Sequence, residues 1–250
     1  MNTPLVSVII PAFRCAETLS DAICSALRQD VPLEILVIDD CSPDHLSEVM
    51  AQWQDLPNVI YLRNEQNLGA AQSRNLGVHR ARGTYVAFLD ADDIWREGKL
   101  KKQLAALERT GSVLCATARE LMDPEGTPSG HVLPVDECIT YRDLLRHNSI
   151  ACSSVLLRTD VARRFPMEHE DSHEDYILWL RILQEYESAC GINEPLLLYR
   201  LTVTGKSGGK LKSAKMTFRA YRYMGFGLVK SCFCFCSYAL HGVYKYFLKR

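Results

Sequence analysis

Short apolar runs alternate with helix-periodic segments along the first half of this 250-residue chain. The pattern predicts an α/β fold, a mostly parallel sheet with flanking helices, because parallel strands are joined by crossover helices. The predicted strands lie at residues 6–10, 34–38, 59–62 and 85–89. The predicted helices lie at 19–27, 46–53, 70–81 and 99–109. Pro11 is expected to end the first strand.

Patterns are weaker in the second half of the chain. Strands are predicted at 113–118, 153–157 and 195–199, and a helix at 175–186. Turn-forming residues at 123–126 leave 119–133 open between a hairpin and a loop. Thr140 and Thr159 are predicted helix caps, because a threonine hydroxyl can accept a hydrogen bond from the first turn of a helix. No internal repeat is present.

Charge is distributed unevenly around a formal net charge of -1. No Asp or Glu follows Glu194, whereas lysines and arginines recur from Arg200 to Arg250. The tail, residues 205–250, combines these cations with many Phe and Tyr residues, a mixture typical of helices on an anionic membrane surface. Nucleic acid is the rival partner, but the Cys, Phe and Leu content fits lipid better. The alternative is a helix docked on the rest of the domain.

Ten cysteines raise the question of a disulfide framework. The chain leads from Met1 directly into a predicted strand, so no signal peptide is expected and the thiols are predicted to be reduced. Cys232, Cys234 and Cys236 alternate, unlike the Cys-x2-Cys pairs of zinc sites, and are expected to be apolar filler. Lys230 interrupts the apolar stretch of the tail, so no membrane span of about 18 residues is predicted.

Three carboxylates follow the fourth predicted strand: Asp90, Asp92 and Asp93. Crowded carboxylates at a buried strand end favour a hard divalent cation shared with phosphate oxygens, because its charge offsets theirs. The alternative is an acidic turn that caps the next helix. The chain has neither a Gly-x4-Gly-Lys-Ser/Thr loop nor a Gly-x-Gly-x-x-Gly after the first strand, so metal-bridged phosphate remains as the route to a nucleotide. Phe13 could then stack on a base, and Asp40 could accept a base N–H, which suits uracil or thymine.

Six ordered segments of the chain resemble the inverting family 2 glycosyltransferases with the GT-A fold, a Rossmann-like fold of this α/β class. They are Ser-Val-Ile-Ile-Pro-Ala-Phe at 7–13, Val-Ile-Asp-Asp-Cys-Ser at 37–42, and the segments 64–69, 74–77, 83–93 and 173–179. The resemblance covers about residues 5–200. It implies a catalytic domain at 1–204, with a nucleotide-sugar half at 1–118 and an acceptor half at 119–204, followed by the tail.

The resemblance also implies roles for individual residues. The implied nucleotide-binding set is Pro11, Ala12, Phe13, Asp40, Asn67, Gly69, Arg74, Asp90 and Ala91. Asp92 would bind Mn2+ or Mg2+, and Asp90 would face the ribose or the water shell of the metal. Asp175 would be the general base that takes the proton of the acceptor hydroxyl.

Three of these residues have structural alternatives. Asp175 could be an acid favoured in the first turn of its helix. Phe13 could be a core residue, since aromatic side chains are often buried. Arg74 could bind phosphate or pair with Glu65 on the surface.

Four neighbouring residues are expected to be structural. Asn75 and Gly77 are assigned to helix packing. His169 and His173 are expected at the surface near the site rather than as metal ligands, because a lone histidine needs further ligands. Many relatives carry a His after the equivalent of Arg200, but this chain does not. The residues that could replace it are Lys206 and Ser207.

The resemblance implies metal-dependent transfer of a sugar from a nucleotide-diphospho-sugar, most simply a UDP-sugar, to a hydroxyl of a glycan. The acceptor would be polyprenyl-diphosphate-linked, and the enzyme would act in bacterial surface polysaccharide synthesis, in the cytoplasm on the inner face of the membrane. One alternative is a sugar nucleotidyltransferase, although Pro11–Cys15 lacks the Gly-rich signature expected there. Another is a non-catalytic nucleotide-sugar-binding module, but Asp92 and Asp175 are both present.

Overall fold

The computed structural model describes residues 3–201 and 210–248. Within these ranges one mixed sheet is flanked by helices. The strands are β1 (Val6–Ala12), β2 (Leu33–Asp39), β3 (Val59–Arg63), β4 (Tyr85–Phe88), β5 (Ile94–Trp95), β6 (Leu114–Met122), β7 (Pro128–Leu133), β8 (Cys138–Ile139), β9 (Leu156–Arg158) and β10 (Ala189–Arg200). The helices are α1 (Leu19–Leu27), α2 (Leu46–Ala51), α3 (Ala70–Arg80), α4 (Lys99–Thr110), α5 (Tyr141–Arg146), α6 (Thr159–Arg164), α7 (Glu174–Glu185), α8 (Lys210–Tyr223) and α9 (Leu228–Leu248).

The main strand order is β3-β2-β1-β4-β9-β6-β10-β5, with β7 beside β6 and β8 beside β10. Strands β1 to β4 pair in parallel, as predicted. The prediction that Pro11 ends β1 is wrong, because the strand continues beside β2 to Ala12. Pairing with β4 stops at Ile9, whose carbonyl faces that strand. Pro11 lies two residues on and faces the same side, so its missing N–H leaves no ladder bond unmade.

The second half differs from expectation in several places. Residues 119–133 contain the β6–β7 hairpin, and β6 crosses the expected boundary between 118 and 119. Thr140 caps α5 as predicted, in a reciprocal capping box with Asp143. Thr159 is not a cap: it is the first residue of α6, and its hydroxyl donates to the Gly83 carbonyl at 2.7 Å. The strand predicted at 153–157 is split into a 3-10 turn, Cys152–Ser154, and β9.

Two apolar clusters cover the two faces of the sheet. The first includes side chains of α3, α6 and α7, and the second includes side chains of α1, α2 and α4. Helix α3 packs closely on β1 at Gly77, where an added Cβ would lie 2.4 Å from the side chain of Ile9. Asn75 binds both the N–H and the carbonyl of Met167. The packing roles predicted for Asn75 and Gly77 are therefore confirmed.

The described part of the tail is helical and packs against helices that precede it in the chain. Helix α8 contacts α7, and α9 contacts α5 and α8. Tyr221 is fully buried and donates its hydroxyl to the Leu145 carbonyl at 2.9 Å. Cys234 is buried but Cys232 and Cys236 are exposed, so the apolar-filler prediction holds for Cys234 alone. No helix in the described ranges is long and apolar enough to cross a membrane.

Candidate active site

Carboxylates gather at the carboxyl ends of β2 and β4, the edge of an open α/β sheet where ligands bind. Asp39 is buried at the end of β2 and accepts hydrogen bonds from Tyr61 at 2.5 Å and Arg63 at 2.7 Å. Asp40 follows it. After β4 come Asp90, Asp92 and Asp93. These acids share one edge of the sheet, because β2 and β4 both run parallel to β1.

Asp40 holds the segment that leads into α3. Its Oδ1 accepts hydrogen bonds from Asn64 Nδ2 and the Leu68 N–H, and its Oδ2 accepts one from the Gly69 N–H, all at 2.8 Å. The side chain of Asn67 also donates to the main-chain carbonyl of Asp40, at 3.2 Å. Asn67 and Gly69 therefore help to fix Asp40. Direct contact of these residues with a nucleotide stays a prediction.

The remaining residues of the predicted nucleoside pocket lie at the end of β1 and directly after it. Phe13 is 42% exposed, so the alternative of a core residue is wrong. Arg14 lies over its ring at 5.3 Å and has a positive φ of 52°. Ala12 is buried at the end of β1, beside Pro11. An exposed ring at this edge of the sheet has the accessibility that base stacking requires.

Arg74 bridges the acidic cluster and α7. It is buried, with Nη2 at 2.6 Å from Asp90 Oδ1 and Nη1 at 2.9 Å from Glu174 Oε1. The predicted surface pair with Glu65 is therefore wrong, because both guanidinium ends bind other carboxylates. Contact of Arg74 with phosphate stays a prediction. Its Nε is buried without a partner among the described residues.

Asp92 and Asp93 sit in an environment that disfavours negative charge. Burial raises the pKa of Asp92 to about 6, and the charge of Asp90 adds to this. Burial, with Asp90 and Asp92, also raises the pKa of Asp93. The Arg200 N–H donates to Asp93 Oδ1 at 3.0 Å, while Oδ2 is buried without a hydrogen-bond partner within the described ranges.

The acidic cluster fits a hard divalent cation. A divalent cation would offset the negative charges of Asp90 and Asp92. Their carboxylate oxygens are the type of ligand that Mn2+ and Mg2+ accept. Within 3–201 and 210–248, no three His, Cys, Asp or Glu side chains are grouped to hold a metal by themselves. One or two carboxylates with phosphate and water is the usual arrangement for Mg2+. Lys206 and Ser207, the predicted substitutes for the missing His, lie outside the described residues.

Asp175 lies in the first turn of α7, next to Glu174. Burial raises its pKa above the ordinary value, and the charge of Glu174 raises it further. The position is compatible with a general base and with a helix-start acid. Tyr176, which follows it, is fully buried and donates its hydroxyl to the Leu144 carbonyl at 2.7 Å. The buried ring fixes the start of α7.

The two histidines near α7 contact the tail. His169 stacks on Tyr223 with ring centroids 3.6 Å apart. His173 Nε2 lies 3.3 Å from the Ser213 carbonyl. Among the described residues neither belongs to a metal-binding group. Glu170, a residue that sequence analysis did not single out, accepts the Ala71 N–H at 2.8 Å at the start of α3.

Sequence analysis missed other residues that shape the site. Ser153 accepts the Asp90 N–H at 3.0 Å, and its carbonyl accepts Trp95 Nε1 at 2.7 Å, so the 3-10 turn supports the acidic loop. Arg200 donates to the Asp92 carbonyl at 2.8 Å. These contacts join residues far apart in the chain. No local pattern could have indicated them.

A sheet of this topology with acids at the ends of its parallel strands is the architecture of GT-A glycosyltransferases. The crystal structure of S. aureus TarS 1-349 in complex with UDP-GlcNAc matches with a TM-score of 0.73 and 17% identity, covering 97% of this protein and 73% of TarS 1-349. The mannosyltransferase PcManGT from Pyrobaculum calidifontis, in complex with GDP-Man and Mn2+, matches with a TM-score of 0.65 and 17% identity, over 90% and 66%. These likenesses establish the fold.

The chain belongs to glycosyl transferase family 2, whose family model matches residues 7–160. TuaG of Bacillus subtilis (strain 168), a glycosyltransferase assigned to teichuronic acid biosynthesis, is 36% identical over 97% of both proteins. WfaP of Escherichia coli, a UDP-Glc:alpha-D-GlcNAc-diphosphoundecaprenol beta-1,3-glucosyltransferase, is 30% identical over 97% of this protein and 95% of its own length. WfgD of E. coli, with the same activity in its name, is 33% identical over 86% and 84%. The protein is a glycosyltransferase, which removes the nucleotidyltransferase and binding-module alternatives.

Proposed function

We propose that this glycosyltransferase moves a sugar, with inversion, from a UDP-sugar to a hydroxyl of a diphospholipid-linked glycan in bacterial surface polysaccharide synthesis. The observation that carries the proposal is the buried Arg74 bridge, which connects Asp90 of the acidic cluster to Glu174, the neighbour of Asp175. One guanidinium therefore couples the donor-side acids to the start of α7. The names of WfaP and WfgD support the UDP donor and the lipid-linked acceptor.

In this mechanism, Pro11, Ala12, Phe13 and Asp40 would line the nucleoside pocket. Asp92, with Asp90, would hold Mn2+ or Mg2+, which when bound offsets charge on the departing diphosphate. Asp175 would accept the proton of the acceptor hydroxyl as its oxygen attacks the anomeric carbon. A single displacement of this kind inverts that carbon. Burial and Glu174 support a base role, because a raised pKa makes a carboxylate a stronger proton acceptor.

The donor proposal is tested by calorimetry with UDP in Mn2+ and in EDTA. Asp92→Asn keeps the shape of the side chain but removes charge, so UDP affinity in Mn2+ should fall by about 10-fold or more. Asp55→Asn, at an exposed acid after α2, is the matched control and should bind UDP normally. Equal affinity in Mn2+ and in EDTA would rule out the metal-dependent donor site.

The enzyme is also proposed to rest on the anionic inner face of the membrane. An open, largely apolar groove lies where α8 meets α9. It is lined by Arg222, Leu228, Val229, Lys230 and Phe233. Val229 and Phe233 are 86% and 76% exposed. Because no acid follows Glu194, no carboxylate of the tail offsets its cations. Basic residues near an anionic surface contribute about 1 kcal/mol each, and inserted apolar side chains add to this.

Liposome sedimentation tests this location with the intact fold. The double variant Val229→Ser, Phe233→Ser should reduce pelleting with anionic vesicles. The control Leu56→Ser, at an exposed leucine outside the tail, should not. Point variants are used rather than truncation after residue 204. Truncation would remove α8 and α9, which cover α7 and α5, and so would expose apolar surface. If wild-type protein stays in the supernatant at low salt, the groove has another role and the membrane location is wrong.

A further inference from the structure

One arginine near the candidate base is left without a carboxylate partner. Among the described residues, Arg119 of β6 donates a single hydrogen bond, from Nη1 to the Ser149 carbonyl at 3.2 Å. In the part of the chain that the structure describes, no carboxylate lies within ion-pair distance of it. Arg74, by contrast, binds two carboxylates. A guanidinium has five N–H donors, so most of the hydrogen-bonding capacity of Arg119 is unused by the protein.

Arg119 lies beside Tyr199, and charged groups of both the acidic cluster and α7 act on it. Its guanidinium carbon lies 5.9 Å from the centroid of the Tyr199 ring. Burial lowers the pKa of Arg119, and Tyr199, Asp93 and Asp175 act in the opposite direction through their charges. These acids attract the guanidinium from a distance but do not bind it. A partly buried cation without a bonded anion carries a desolvation cost that an incoming anion would offset.

The tail supplies another wall of the same region. Tyr238 of α9 has its ring centroid 6.2 Å from that of Tyr176 and 6.0 Å from that of His147. Burial raises the pKa of Tyr238, the charge of Asp175 raises it further, and the charge of Arg119 lowers it. Tyr238 thus lies beside Tyr176, the residue that follows Asp175, while Tyr199 lies beside Arg119. Phenol hydroxyls and a planar guanidinium are donors that suit phosphate oxygens.

We propose that Arg119, flanked by Tyr199 and Tyr238, binds a phosphate group of the acceptor's diphosphate and so positions the acceptor hydroxyl at Asp175. This inference rests on the proposed function for its acceptor class. The cluster around Asp92 is the proposed site of the metal and the donor's diphosphate. In the described parts of the chain, Arg119 does not bond to that cluster, so its free donors are available to a second phosphate group. The donor's diphosphate shares this chemistry, so the experiment separates the two sources.

The test compares two acceptors that differ only in the presence of the diphosphate. One is N-acetylglucosamine α-linked through a diphosphate to a decyl chain, and the other is the neutral α-decyl glycoside of the same sugar. Arg119→Met should raise KM for the diphosphate acceptor by roughly 10- to 100-fold, since a hydrogen bond to a charged group contributes about 1.5–3 kcal/mol. KM for the neutral acceptor and for the donor should stay near wild type. Arg142→Met, at an exposed arginine of α5, is the matched control and should change neither.

Arg119→Lys keeps the charge but loses the planar fork, so it should restore part of the affinity if Arg119→Met folds poorly. Equal loss with both acceptors would overturn the inference and make Arg119 structural. A rise in donor KM alone would assign the residue to the donor's diphosphate and also overturn it. If wild type transfers to neither acceptor, the proposed function fails instead. Calorimetry with decyl diphosphate then decides the inference, which requires binding by wild type and at least 10-fold weaker binding by Arg119→Met.

Discussion

The half of the molecule at 1–118 and the part from Arg119 onward differ in how their charged groups are bonded within the protein. In the first, Asp39, Asp40 and Arg74 are each fixed by two or more protein hydrogen bonds. In the second, Arg119 keeps most of its donors unused. Side chains fixed by the fold need no reorganisation when a ligand binds. The comparison teaches that the proposed donor side is preorganised, whereas the proposed acceptor side retains in Arg119 a group whose donors a ligand can satisfy.

Removal of Arg74 would test how far the two regions depend on one bridge. Arg74→Met leaves Asp90 and the buried Glu174 without this cation, so the free energy of unfolding should fall by about 3–5 kcal/mol. Arg158→Met breaks the exposed pair with Asp160 and should cost at most about 1 kcal/mol. Urea denaturation of both variants measures the difference. Similar losses in the two variants would mean that the bridge is not a buried ion pair in solution.

Asp175→Asn tests whether the acceptor side contains the base. The amide keeps the shape but cannot take a proton at physiological pH, so kcat should fall by about 10^2 or more while UDP affinity stays unchanged. Asp171→Asn, at an exposed acid three residues before Glu174, should retain most activity. Single-turnover kinetics with saturating donor measures the step. Wild-type turnover in Asp175→Asn would assign this residue a structural role.

Tyr221→Phe tests the attachment of the tail. The change removes the hydroxyl that donates to the buried Leu145 carbonyl, so the free energy of unfolding should fall by about 1–3 kcal/mol. Tyr223→Phe removes an exposed hydroxyl near Asp171 and should have an effect within about 0.5 kcal/mol. Thermal melting compares the two. Equal melting temperatures would indicate that α8 is not docked as described.

Glu174→Gln should produce the smallest effect on catalysis, a shift in the pH profile of activity. The charge of Glu174 raises the pKa of Asp175, so its removal should lower that pKa. Activity requires Asp175 ionised and is lost as pH falls through this pKa. The acid limb of kcat/KM should therefore move to lower pH. A limb that moves upward, or stays in place, would contradict the assignment of the limb to Asp175.

Much of the first region could be predicted from the sequence because its contacts are local. Strands β1, β2 and β3 pair in chain order and β4 joins the free side of β1, and the acids at 39–40 and 90–93 follow from strand ends. The prediction for Pro11 was wrong because the rule that proline ends a strand does not consider which side of the strand lacks a partner. Thr159 misled because its hydroxyl binds Gly83 rather than its own helix.

The second region could not be predicted in the same way. Arg74 and Glu174 are joined by tertiary packing across nearly a hundred residues. The ring of Tyr238 reaches the neighbourhood of Asp175 only because α9 folds back over α5. Neither residue pair has a periodicity or a spacing that a single sequence reveals. The resemblance indicated Asp175 but said nothing of Arg119.

The docking of α9 has a consequence for when the protein becomes active during its synthesis. The ribosome makes the sheet and Arg119 first, and Tyr238 only after roughly 120 further residues, which takes about 6–24 s at 5–20 residues per second. Until then, the wall of the acceptor region that Tyr238 forms is missing. A nascent polypeptide can thus fold its donor side while its acceptor side is incomplete. Transfer would begin only after α9 has been made, so the start of catalysis would coincide with completion of the helix that we propose meets the lipid.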